Sequence, residues 1–149
     1  MAALIVFHEA ISKERHLTGK NVFKTLRKLG ATILETYSDG LVIFQMEDVS
    51  FWLYIKNKPV LTLGATAAIC TKESDMEAAE KAMDEMNNIT SGVYIMIDKD
   101  NKINYLCNFF APTCHILKKT LPLVAEHIAK ANAAFEDTYL DNNKTDPIN

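Results

Sequence analysis

The chain has little of what most catalytic machinery is built from. Only five glycines occur in 149 residues. Neither GxxxxGK[ST] nor GxGxxG is among them, which excludes the common glycine-rich phosphate cradles. Three cysteines, Cys70, Cys107 and Cys114, form no CxxC pair and have apolar or strand-like neighbours. They read as reduced, buried thiols. His8, His16, His115 and His127 show neither HxxxH nor HExxH spacing, so no metal or cofactor is expected. The early apolar run in "MAALIVFHEAISKER" is too short to span a membrane. It also lacks the basic region of an export signal. A cytoplasmic, bacterial-type protein is the expectation, with no membrane contact. The Asn88-Ile89-Thr90 sequon is then accidental. The formal net charge is −3, so no general attraction to nucleic acid is expected.

What is present suits a globular domain. The composition is 48% hydrophobic and 23% charged. A chain of this length buries roughly 70% of its unfolded surface, enough for a core without metal or disulfide. Charge is mildly uneven. Residues 1–73 hold nine basic and seven acidic side chains, and residues 74–149 hold seven and twelve.

Val22, Phe23, Leu26 and Leu29 recur at helical spacing, which predicts a helix over 18–29 that stops at Gly30. From Ala31 the period becomes two. "ATILETYS" runs to an Asp39-Gly40 turn, and "LVIFQMED" steps at Asp48-Val49 into "SFWLYIKN". Asn57-Lys58-Pro59 leads to "VLTLGATAAIC". Four strands with short connections predict an antiparallel meander. Ser74 and Glu77 have capping-box spacing, and Met76, Ala79, Met83 and Met86 make the stripe of a second helix. "VYIMID" and "KINYLCNFF" flank a Lys99-Asp100-Asn101 turn as a hairpin. A last helix spans about 114–137 on the stripe Leu117, Leu121, Val124, Ile128, Ala131 and Phe135. Pro122 removes a backbone bond and should kink or split that helix near Leu121. The expected division is an extension at 1–17, one domain at 18–137 and a loose polar tail at 138–149.

No constellation of reactive groups emerges. Asp98-x-Asp100 opens like a calcium loop, but Lys102, Ile103 and Phe109 stand where an oxygen ligand, a glycine and a glutamate are required. The acids suit a solvated hairpin turn. Cys114 and His115 are adjacent, and on a helix neighbours point about 100° apart. They would need partners from elsewhere. Lys20, Lys24, Arg27 and Lys28 share one side of the first helix. This reads as a solvated face, since no stacking aromatics accompany it. The remaining feature is an aromatic surplus. If Phe51, Leu53 and Ile55 face the helices, Trp52 and Tyr54 face away, and Tyr94 and Met96 could do the same. Aromatics on an outer sheet face call for cover, by the N-terminal segment, a second subunit or a peptide.

The helix ending in Leu29-Gly30, the strands "LVIFQM" and "FWLYI", the helix ending "MNNIT", and the hairpin "VYIMIDKDNKINY" with Phe109-Phe110-Ala111 resemble YbjN-type domains. Those share the fold of class I type III secretion chaperones. The resemblance runs from about Thr18 to Phe135. It implies an α+β domain, an antiparallel sheet with helices mainly on one face, in the order α-ββββ-α-ββ-α. It also implies no enzymatic residues. The chaperones are homodimers that hold an extended segment of a partner. The extra residues before Thr18, and four strands before the second helix instead of three, depart from the chaperone pattern.

The expected function is therefore a non-catalytic, regulatory or chaperone-like module. It would bind a protein segment on a sheet surface or edge, as a homodimer, through Trp52, Tyr54, Tyr94 and Met96. The rival is an enzyme or ligand binder with a sheet–helix pocket near Cys107, Cys114 and His115.

Overall fold

The computed structural model describes residues 16–70, 76–89 and 92–144. Its elements are α1 (Gly19–Lys28), β1 (Thr32–Thr36), β2 (Leu41–Met46), β3 (Val49–Tyr54), β4 (Val60–Cys70), α2 (Met76–Ile89), β5 (Tyr94–Ile97), β6 (Lys102–Phe110) and α3 (Cys114–Lys144). The strands make one six-stranded antiparallel sheet in the order β1-β2-β3-β4-β6-β5. This is the α+β class and the element order expected. The capping box at Ser74, the apolar run at Leu4 to Phe7, and His8 lie outside the described residues.

The described residues gather into two compact units. The first reaches to Thr62 and takes in Phe109–Leu123; the second holds Leu63–Asn108 and the chain from Val124 on.

In the first unit, α1 starts where the Thr18 hydroxyl accepts from the Asn21 N–H at 3.2 Å. It ends in a Schellman motif: Gly30 N–H donates to Arg27 O and Ala31 N–H to Leu26 O, both at 3.0 Å. Gly30 takes φ 85°, which explains the glycine. Val22 and Leu26 of α1 are buried, as are Val42, Phe44, Phe51 and Leu53 of β2 and β3. Each such side chain contributes about 1.5–3 kcal/mol on leaving water. Phe44 and Phe51 stack with centroids 5.7 Å apart. The β2–β3 connection is tighter than the sequence suggested. Met46 pairs with Val49, and the two residues between them, Glu47 and Asp48, both take positive φ. That is the primed turn whose twist matches the strands. The step therefore falls at Glu47-Asp48, not at Asp48-Val49. Near the start of α3, His16 bridges to Thr113 and the Ala111 N–H donates to Pro59 O at 2.9 Å.

The second unit is built on Ile95, Ile103 and Tyr105 of the hairpin, all buried, with Ala79, Ala82 and Met86 of α2 and Ile128, Ala131 and Phe135 of α3. Tyr105 meets Phe135 edge to face at 6.2 Å.

Helix α3 corrects two expectations. It is one continuous helix through Pro122, with no split near Leu121. Pro122 lacks only the N–H that would bond the Lys118 carbonyl; both residues are exposed, so water can serve that oxygen. Leu117 and Leu121 are buried before it, and Val124 and Ile128 after it. The helix also runs past 137 to Lys144, so residues 138–144 are not a loose tail. Tyr139 extends the apolar stripe by one more turn. It is buried and stacks on Phe135 at 6.1 Å. The Thr138 hydroxyl donates to Ala134 O at 2.9 Å. No helix among the described residues is long and apolar enough to cross a membrane.

Candidate functional site

Strand alternation decides what the first unit shows to the outside. Phe51 and Leu53 point inward and are buried, so Trp52 and Tyr54 point outward and are only half-buried. Cross-strand register gives each a neighbour on the same face: Ile43 opposite Trp52, and Leu41 opposite Tyr54. Leu61 of β4 and Phe109 of β6 are buried, which turns Val60 and Phe110 outward. Val60 is 47% exposed and Phe110 62%. On β2, β3, β4 and β6 within this unit, the other outward residues are Gln45, Ser50 and Thr62. On β1, Glu35 pairs with Ile43 and puts one carboxylate on this face, where it accepts from the Tyr37 hydroxyl. Apolar surface with charge kept to its rim is the composition of an interface.

Sequence reasoning found Trp52 and Tyr54 but not Leu41, Ile43, Val60 or Phe110. The signal was present in "LVIFQM", a run apolar at both parities, which marks a strand with two apolar faces.

Tyr94 and Met96 lie in the second unit, with exposures of 60% and 41%. Register puts Leu106 opposite Tyr94 and Asn104 opposite Met96. That surface is mixed. Asn104 donates to Asp98 Oδ2 at 3.0 Å and accepts from the Thr66 hydroxyl at 2.7 Å. The four sequence candidates thus fall into two pairs on two units. Only the Trp52–Tyr54 pair stands in a mainly apolar field, with Glu35 of β1 at its margin.

The edges of the sheet are treated differently from its face. β5 is the last strand on one side. There the Asn87 side chain, from α2, donates to Ile95 O and accepts from Ile95 N–H, both at 2.9 Å. An asparagine amide thereby replaces a neighbouring strand. On the other side β1 is five residues long, carries exposed Glu35, and breaks register between Ile33 and Glu35 in a bulge. Short length, charge and a bulge are the usual protections of a sheet edge.

Of the rival residues, Cys107 belongs to the second unit, and Cys114 and His115 to the first. Burial pushes the Cys107 thiol up, away from the thiolate a nucleophile needs. Cys114 is buried with its thiol 3.5 Å from His16 O, while His115 is exposed. A cleft of about 310 Å³ is lined by His16, Leu17, Lys58, Pro59 and Pro112, and by none of the three rival residues. The Asp98 carboxylate is consumed within its hairpin. It accepts from the N–H groups of Asp100 at 2.8 Å and Lys102 at 3.0 Å, besides Asn104. Among the described residues no group of three or more His, Cys, Asp or Glu could hold a metal.

A six-stranded antiparallel sheet with three helices among the described residues defines an α+β fold class. Among solved structures the chain is similar to that of YbjN from E. coli, there described as "a putative transcription regulator". The TM-score is 0.54 at 13% identity, over 84% of this chain and 90% of that one. The likeness extends to the fold. No protein-family model matches the chain. No curated protein sequence matches it either.

Proposed function

We propose that this protein is a non-catalytic interaction module that holds an extended segment of a partner protein on the outer sheet face of its first unit. We read it as a cytoplasmic homodimer with a regulatory or chaperone-like role. The observation that carries the reading is the apolar field of Leu41, Ile43, Trp52 and Tyr54, flanked by exposed Val60 and Phe110, with a single carboxylate, Glu35, at its β1 margin. Aromatic groups with a polar tip suit such work, because they bury area at low entropic cost while the tip stays wet. The neighbouring YbjN structure, described in terms of regulation, is compatible with it. Tyr94 and Met96 would add a second, more polar contact zone.

Trp52 is the only tryptophan of the chain, so its emission reports the face directly. An array of extended apolar peptides should contain sequences that shift that emission and saturate. Tyr54→Ala should weaken their binding by about 10–100-fold, as loss of a central aromatic anchor does. Trp52→Ala, followed by calorimetry, should do the same. Unchanged affinity in both variants, with the fold intact by circular dichroism, sinks the reading.

A further inference from the structure

Helix α1 carries a run of like charge that no ion pair among the described residues offsets. Lys20, Lys24, Arg27 and Lys28 are all exposed, and none forms an ion pair among the described residues. The helix contains no acidic residue. Lys20/Lys24 and Lys24/Lys28 are like-charge pairs four apart, which destabilise a helix. Lys20 also lies in the first turn, where the helix dipole disfavours a cation. The four cations occupy one side, and at about 1.5 Å per residue they span roughly 12 Å.

Helix α2 carries the complement. Glu77, Glu80, Asp84 and Glu85 are exposed and also lack an ion pair among the described residues. They span the same eight-residue length, and the spacing nearly repeats. Counted from the first residue of each ridge, the cations fall at steps of four, seven and eight. The acids fall at three, seven and eight. Two such helices laid parallel bring Lys20 beside Glu77, Lys24 beside Glu80 and Arg27 beside Asp84, while Lys28 and Glu85 fall on opposite flanks of the seam. Lys81 stands among the acids and reduces that ridge to three net negative charges.

We propose that the basic ridge of α1 docks the acidic ridge of α2 from a second copy of this chain. This rests on the homodimer reading above and assigns its contact, using none of the residues of the proposed partner-binding face. Exposed ion pairs are individually weak and screened by salt. The association is therefore expected at low ionic strength and lost at high.

Sedimentation of the full chain in about 0.01 M salt, where charges act over about 30 Å, and in about 1 M salt, where they act over about 3 Å, gives the first reading. Oligomer should give way to monomer. Lys24→Glu with Arg27→Glu in one variant, and Glu80→Lys with Asp84→Lys in another, should each be monomeric in low salt. An equimolar mixture of the two should associate again, because the pairs are restored across chains. A mass that does not change with salt overturns the proposal. So does a mixture that stays monomeric, or a wild type that binds poly-L-glutamate without associating with itself. Peptide-induced shifts of Trp52 emission should persist in both variants, which keeps the two readings apart.

Discussion

Tyr105 and Asp98 show opposite fates of a polar group on one hairpin. The Tyr105 side chain is buried, yet its hydroxyl has no hydrogen-bond partner among the described residues. An unsatisfied buried hydroxyl costs about 1–3 kcal/mol. Tyr105→Phe keeps the ring against Phe135 and removes the hydroxyl, so it should raise unfolding stability by about 1 kcal/mol in a denaturant titration. Burial, with a smaller effect from Glu136, raises the phenol's pKa well above its ordinary value. Tyrosinate is thus disfavoured in the folded state. Stability should fall as pH rises beyond about 10, where the unfolded phenol ionises, and Tyr105→Phe should remove that part of the alkaline loss. Asp98 is the reverse case. The Lys102 N–H first, then the Asn104 amide and the Asp100 N–H, hold its carboxyl below the usual range. A depressed folded pKa contributes stability above the unfolded value of about 3.9 and loses it as pH falls through the folded pKa. The stability gap between wild type and Asp98→Asn should therefore be open at neutral pH and close below about pH 4.

Among the elements, β5 depends on a side chain as much as on its strand partner. Asn87 holds both backbone groups of Ile95. Asn87→Ala leaves that N–H and C=O exposed on the rim and should cost about 1–3 kcal/mol. The Ile95 amide should then exchange faster with solvent, and the variant should associate through strand pairing in size-exclusion chromatography. Wild-type exchange at Ile95 in the variant would refute the role. Helix α3 shows why an element's end is harder to read than its existence. The stripe from Leu117 to Phe135 was evident, but Tyr139 stands in a polar surrounding sequence, "EDTYLDNNK". Its stacking on Phe135 becomes visible only in three dimensions.

At the scale of the whole molecule, the sheet was legible because its turns carry strong local chemistry. Gly30 and Gly40 take positive φ, and an alanine at Gly40 would bring Cβ within 3.1 Å of the Lys56 nitrogen. Glu47-Asp48 was misplaced because the turn there uses left-handed geometry without a glycine or asparagine. The orientation of Trp52 followed from period two alone. The apolar field around it did not, since Phe110 comes from β6, a strand far from β3 in sequence. The basic ridge of α1 was visible at once, but its like-charge cost emerged only when the structure showed those cations without an ion pair among the described residues.

The Asn87 clasp and the kinked β1 rim have a cellular consequence. A protein with an adhesive surface ordinarily risks seeding cross-β stacks when it is abundant. Here both margins of the sheet are protected, so an abundant pool of the protein offers little template for fibrils of itself.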